Sequence, residues 1–215
     1  IGNCYYSDIT VFSFHPVKII TTAEGGLATT NSKDLAQKMQ LYRSHGITRD
    51  ESLMTARADG AWYYQQVGLG FNYRMTELQA ALGVSQMNRL DEFIAKRHIL
   101  QERYDSLLDS LPIVKPYQDN DSYSALHLYT IQIDLDKANK GRQQVFNELR
   151  ESGVGVNVHY IPIHIQPYYR QFGFKDGDFP ISESYYNRAL TIPLFHFMTF
   201  NQQDQIVSIL RKILQ

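Results

Sequence analysis

The chain holds a single cysteine, Cys4, among 215 residues. That is too few for an intramolecular disulfide framework or a cysteine-built zinc cage, and it leaves a reducing compartment, the cytoplasm, as the expected setting. Excess charge is lacking too: 21 Lys and Arg against 22 Asp and Glu give a formal net charge of -1, so no global basic field exists to hold nucleic acid or an anionic membrane. No apolar run approaches the ~20 residues that a membrane helix needs, and the opening IGNCYYSDITVF lacks the basic start and apolar stretch of a signal peptide. Internal repeats and low-complexity tracts are absent. What is present is 43% apolar and 13% aromatic content, enough to bury a core and too much for intrinsic disorder. Ile1 rather than methionine opens the chain and a strand-like run follows almost at once, so the expectation is a fragment or processed product.

Residues 9–14 (ITVFSF) are β-branched and aromatic and predict a buried strand, which Pro16 keeps from continuing as helix. HPVK is then a strand-end loop, and Glu24-Gly25-Gly26 turns into LATT. Asn31 or Ser32 is placed to cap a helix with Leu35, Met39 and Tyr42 on one face, closed near Gly46. Residues 48–73 show no sustained period and read as a long excursion. Thr76 and Gln79 form a capping-box signature, and Ala80, Ala81, Gly83 and Ser85 would let another element approach that helix closely. A second helix from Asp91 carries Phe93, Leu100, Tyr104, Leu107 and Leu111 at helical spacing, interrupted by Arg97, and ends before Pro112. Beyond a polar linker, ALHLYTIQIDL predicts a strand, followed by a helix from about Gly141 to Glu151 and a strand through VGVNVHY. A Pro-rich run, a helix over ISESYYNRAL and a final helix with Ile206, Ile209, Leu210 and Ile213 complete an expected β-α-β unit.

Lys18 sits in FSFHPVKII with apolar residues on both sides, so its ammonium must reach water, find a partner or lose its proton. A strand-end lysine that simply reaches solvent is the plain reading. The sharper one is a nucleophilic amine that attacks an aldehyde. The histidines of HYIPIHIQPYY suggest a metal site, but Pro162 prevents the helical presentation that would set two of them on one face, and no carboxylate accompanies them, so no metal is expected.

Three ordered segments, SDITVFSFHPVKIITTAEGG, GFNYRMTELQAALGVSQMNRLDEF and VHYIPIHIQPYY, resemble the DegT/DnrJ/EryC1 family of pyridoxal-phosphate-dependent nucleotide-sugar aminotransferases, and within it the branch that serves pseudaminic acid synthesis. The resemblance implies the C-terminal portion of a fold-type-I aminotransferase. Residues 1–90 would be the end of the large α/β cofactor domain, and 91–215 the connecting helix and the small α+β domain. It implies that Lys18 carries pyridoxal phosphate covalently and that Ser13 binds the cofactor phosphate. Asn72, directed at that phosphate, and Arg74 would reach from one subunit of a homodimer into the neighbour's site. His159, Tyr160 and His164 would lie over the site against the sugar or diphosphate of a UDP-linked 4-keto-6-deoxy amino sugar, aminated at C4 with glutamate as donor.

Relatives with histidine in place of the lysine carry out dehydration, so Lys18 argues for the transaminase branch. The family pattern also begins ahead of Ile1. It includes an aspartate for the pyridine nitrogen, an aromatic over the ring and a phosphate loop, so the site of this chain alone is expected to be incomplete. A catalytically silent fragment or dimerisation module is the alternative. His15, Gly25, Gly26 and Glu24 receive no role from the sequence, although His15 and Glu24 stand close to Lys18.

Overall fold

A computed structural model describes residues 1–215. The chain divides into two compact units, Ile1–Leu90 and Asp91–Gln215.

In the first unit β1 (Thr10–Ser13) pairs antiparallel with β2 (Gly26–Thr29), Thr10 opposite Thr29 and Ser13 opposite Gly26. The connection over residues 14–25 carries Lys18. Helix α1 (Lys33–Tyr42) starts at Ser32, whose hydroxyl accepts from Leu35 N–H. Residues 48–73 hold more order than their pattern predicts. Strands β3 (Ile47–Thr48) and β4 (Gln65–Gln66) pair antiparallel around a 3-10 turn at Glu51–Leu53. The segment after β4 then runs against the end of α1, with Val67 N–H donating to Gly46 O (2.8 Å) and Phe71 N–H to Tyr42 O (2.9 Å). Glycine makes this approach feasible: Gly46 has φ +69°, and a Cβ there would lie 1.9 Å from Gly68 O. Helix α2 (Glu77–Met87) opens on the expected capping box of Thr76 and Gln79. Of its small residues, Gly83 is the one against which the buried Thr22 rests, since a Cβ there would meet Thr22 Cγ2 at 2.8 Å.

No large apolar side chain of this unit is fully buried, and Val11, Leu27, Leu69 and Leu78 are exposed.

The second unit contains the core. Helix α3 (Leu90–Leu107) turns Phe93, Arg97, Leu100, Gln101 and Tyr104 inward. Strands β5 (Ile113–Val114), β6 (Tyr129–Ile133) and β7 (Ala189–Ile192) form an antiparallel sheet in that order. Tyr129, Ile131 and Ile133 of β6 are buried while the residues between them are half-exposed, as the two-residue period of a strand requires. Helices α4 (Arg142–Glu151), α5 (Pro167–Arg170), α6 (Pro180–Arg188) and α7 (Phe200–Leu214) complete the unit. Val145 and Leu149 of α4 and Val207 and Leu210 of α7 join Leu190 and Ile192 in one cluster, each such side chain contributing about 1.5–3 kcal/mol by leaving water.

Three features differ from the sequence reading. The VGVNVHY strand is a single bridge, Asn157 to Thr191. The helix over ISESYYNRAL stops at Arg188 and Ala189–Ile192 is a strand, its four residues all buried and Pro193 beyond it barring extension. Of the expected β-α-β unit, β6 and α4 form, and the third member is reduced to that bridge, which runs antiparallel to β7 as β6 does. Arg97, which interrupts the apolar stripe of α3, is nonetheless buried, its Nη1 donating to the carbonyls of Leu126 (3.0 Å) and Leu194 (2.9 Å).

Candidate active site

Ser13 ends β1 and Lys18 follows on the 14–25 loop. Local bonds shape that loop tightly. Lys18 N–H donates to His15 O (2.9 Å), Thr22 N–H to Phe14 O (3.0 Å) and Phe14 N–H to Gly25 O (2.9 Å). The hydroxyls of Thr21 and Thr22 donate to Phe14 O (2.9 Å) and Glu24 O (2.8 Å). Sequence reasoning passed over this threonine pair, although TT after a buried run is a recognisable side-chain-to-backbone capping signal. Gln79 of α2 adds a tether, its Nε2 donating to Glu24 O at 3.1 Å. Lys18 is half-buried, and its Nζ forms no hydrogen bond or ion pair. His15 Nε2 stands 3.8 Å from a Glu24 carboxylate oxygen, both side chains well exposed, a pair of little energetic weight.

Ser13 Oγ accepts from His15 N–H (3.4 Å), which leaves its O–H free to donate outward. Asn72 repeats this arrangement. Its Oδ1 accepts from Arg74 N–H (3.4 Å), so its NH2 is left to donate, and its backbone is pinned by a bridge to Ser44. Arg74 is exposed just ahead of α2. No hydrogen bond or ion pair joins Asn72 or Arg74 to Lys18 or Ser13. A primary amine, a hydroxyl donor and a carboxamide donor are the groups that suit an aldehyde and a phosphate, the reactive end and the anchoring end of pyridoxal phosphate.

The remaining three expected residues belong to the second unit. Tyr160 is 70% exposed and packs edge-on against the half-buried ring of His159 at 4.6 Å. His159 Nδ1 lies 2.8 Å from Thr191 Oγ1. His164 is buried, and its Nε2 meets Glu183 Oε1 at 2.7 Å. Glu183 also accepts from the N–H groups of Gly177 (2.8 Å) and Phe179 (3.4 Å), so His164 and α6 together fix the 173–179 turn. The His164 hydrogen bond, aided by those backbone donors and opposed by burial, holds the Glu183 carboxyl below the usual carboxylate value. Tyr160 and His164 share the wall of a pocket of about 600 Å³ with Pro162, Tyr169, Phe179 and Tyr185. No group of three His, Cys, Asp or Glu side chains is arranged to hold a metal ion, and no helix is long and apolar enough to cross a membrane.

The sequence profile of the DegT/DnrJ/EryC1/StrS aminotransferase family matches residues 2–211. The chain is 36% identical over 211 residues to the spore coat polysaccharide biosynthesis protein SpsC of Bacillus subtilis, covering 97% of this chain and 54% of SpsC. It is 31% identical over 212 residues to the UDP-4-amino-4,6-dideoxy-N-acetyl-beta-L-altrosamine transaminase of Campylobacter jejuni, with 96% and 54% covered. Among solved structures, Helicobacter pylori PseC, an aminotransferase involved in the biosynthesis of pseudoaminic acid, superposes with TM-score 0.86 at 27% identity, covering 97% of this chain and 54% of PseC. Spr1654 from Streptococcus pneumoniae in its PLP-form gives TM-score 0.84 at 27% identity, with 99% and 54% covered. The chain spans about half the length of the curated relatives it matches. It belongs to the DegT/DnrJ/EryC1/StrS aminotransferase family, whose cofactor is pyridoxal phosphate, and it has the fold of the C-terminal portion of those enzymes.

Proposed function

We propose that this chain carries the lysine-bearing part of an aminotransferase that moves an amino group, from glutamate as donor, to C4 of a UDP-linked 4-keto-6-deoxy amino sugar destined for a bacterial surface polysaccharide. The observation that carries this reading is the uncommitted amine of Lys18, a half-buried residue on a tightly bonded loop that begins at the outward hydroxyl of Ser13. The similarity to a transaminase named for such a UDP-sugar supports the substrate class. Bound pyridoxal phosphate supplies an electron sink for a carbanion.

Lys18 Nζ would bind the cofactor aldehyde covalently and, once released as a free amine, accept and return the proton that moves during transfer. Ser13 Oγ and Asn72 Nδ2 would donate to the phosphate oxygens, a polarity that the acceptor-side bonds at both residues favour. In this reading Asn72 and Arg74 serve the neighbouring subunit of a homodimer, with Arg74 adding positive charge near the α2 N-terminus, where an anion is favoured. His159 and Tyr160 contact the sugar nucleotide, and His164 shapes the shared pocket wall through Glu183. The lone thiol of Cys4 supports the cytoplasm as the setting.

The test supplies the chain with pyridoxal phosphate, glutamate and a UDP-4-keto-6-deoxy-N-acetylhexosamine and follows the 4-amino sugar by mass spectrometry. Product that depends on Lys18 upholds the proposal. Covalent cofactor at Lys18 without product upholds the lysine assignment and shows that this chain alone does not turn over, and a stable fold that takes up no cofactor overturns the assignment.

A further inference from the structure

Thr130 and Thr191 are cross-strand partners in β6 and β7, and their hydroxyl oxygens lie 2.8 Å apart. Thr191 Oγ1 is in turn 2.8 Å from Nδ1 of His159. Thr191 is buried, and its backbone exchanges both hydrogen bonds with Asn157 (2.8 and 3.2 Å). The sheet therefore holds this hydroxyl rigidly against the imidazole. The direction of the proton chain follows from the neighbouring amide. Asn157 Oδ1 is committed to Val158 N–H (2.8 Å), so Asn157 Nδ2, a donor only, is the atom that stands 3.5 Å from His159 Nε2. A donor aimed at Nε2 requires a lone pair there. In the neutral ring the proton is then on Nδ1 and is donated to Thr191 Oγ1, whose own hydrogen passes to Thr130 Oγ1.

We infer that Thr191, backed by Thr130, is a positioning residue that holds His159 as the Nδ1–H tautomer and so offers Nε2 to a ligand as a hydrogen-bond acceptor. The Asn157 contact to Nε2 is at the limit of hydrogen-bond length, so a ligand donor displaces it readily. Such a nitrogen suits a sugar hydroxyl or amide N–H and repels a phosphate oxygen while the ring is neutral. This deepens the proposal that the 157–164 segment contacts a sugar nucleotide and rests on it: His159 reads the sugar, and the diphosphate is held elsewhere.

Nuclear magnetic resonance of the full chain with isotopically labelled histidine nitrogens tests this, at a pH where the ring is neutral and with His159 assigned by its loss in His159→Gln. The expected pattern is a protonated Nδ1 and a bare Nε2. Thr191→Val, equal in shape and lacking the hydroxyl, should reduce the Nδ1–H form severalfold, and Thr191→Ser should restore it. A wild-type ring protonated at Nε2 overturns the inference, as does a folded Thr191→Val chain with an unchanged tautomer. The wild-type spectrum decides the tautomer even where the valine variant does not fold. No cofactor enters the measurement, so the expected tautomer in a chain that takes up no pyridoxal phosphate would sink the aminotransferase proposal and leave the assigned tautomer standing.

Discussion

The side-chain amide of Gln79 donates from Nε2 to Glu24 O at 3.1 Å, while its Oε1 accepts from the backbone N–H of Thr76 at 3.0 Å. One residue thus closes the N-terminus of α2 and ties down the loop that carries Lys18. Gln79→Leu removes both bonds and should cost about 1 kcal/mol, the usual value of a helix cap. Gln79→Glu keeps the capping acceptor and loses only the donor to Glu24. Urea denaturation should therefore register the leucine variant more strongly, while hydrogen exchange in residues 21–25 should accelerate in both. Unchanged loop exchange in the two variants would contradict the tether.

The crossing at Gly46 makes a separate demand on the backbone. With φ +69° and a Cβ that would fall 1.9 Å from Gly68 O, Gly46→Ala combines left-handed strain with a backbone collision. A loss of about 1–3 kcal/mol is expected. Because Asn72 is bridged to Ser44 beside this crossing, the same variant should weaken pyridoxal phosphate retention, measured by cofactor release on dialysis. Gly155, where a Cβ would meet nothing within 4 Å, supplies the control, and its alanine variant should leave retention unchanged.

The proposed sharing of sites between subunits is tested by mixing chains. Lys18→Ala and Asn72→Ala homodimers should each hold cofactor poorly. A heterodimer of the two would contain one site with the intact lysine and the intact asparagine, so cofactor retention should return to about half of the wild-type sites. Failure to complement would place Asn72 in the same site as the lysine of its own chain.

The pairing of His164 with Glu183 gives the second unit a response to acid. Glu183 has its folded-state pKa lowered by the His164 hydrogen bond. The stability it contributes is therefore complete above the ordinary carboxylate value and is lost as pH falls through the lower folded value. The amide signal of Gly177, which donates to Glu183, should shift over that acidic range. In Glu183→Gln the titration of this amide should vanish, and its persistence would assign the response to another carboxyl.

Much of this was legible in the sequence. The capping box at Thr76 and the inward stripe of α3 are local patterns, and local chemistry decides them. The Ser13 and Lys18 run stands out because its apolar flanks make a lysine unusual. Pairings that depend on distant partners were not readable. Arg97 looked like a break in an apolar face, and only the carbonyls of Leu126 and Leu194 explain its burial. The first half of β7, Ala189 and Leu190, reads as the tail of a helix, since the fully buried ALTI has no alternation to mark it. The glycines at 46 and 68 showed no period, because what they permit is a contact between backbones rather than a face of side chains.

The most direct measurement is reduction with borohydride after pyridoxal phosphate is added, followed by peptide mapping. A pyridoxyl group is expected on Lys18, absent from Lys18→Ala although that variant remains folded by circular dichroism. Label spread over exposed lysines such as Lys38 and Lys175, with none at Lys18, would contradict it.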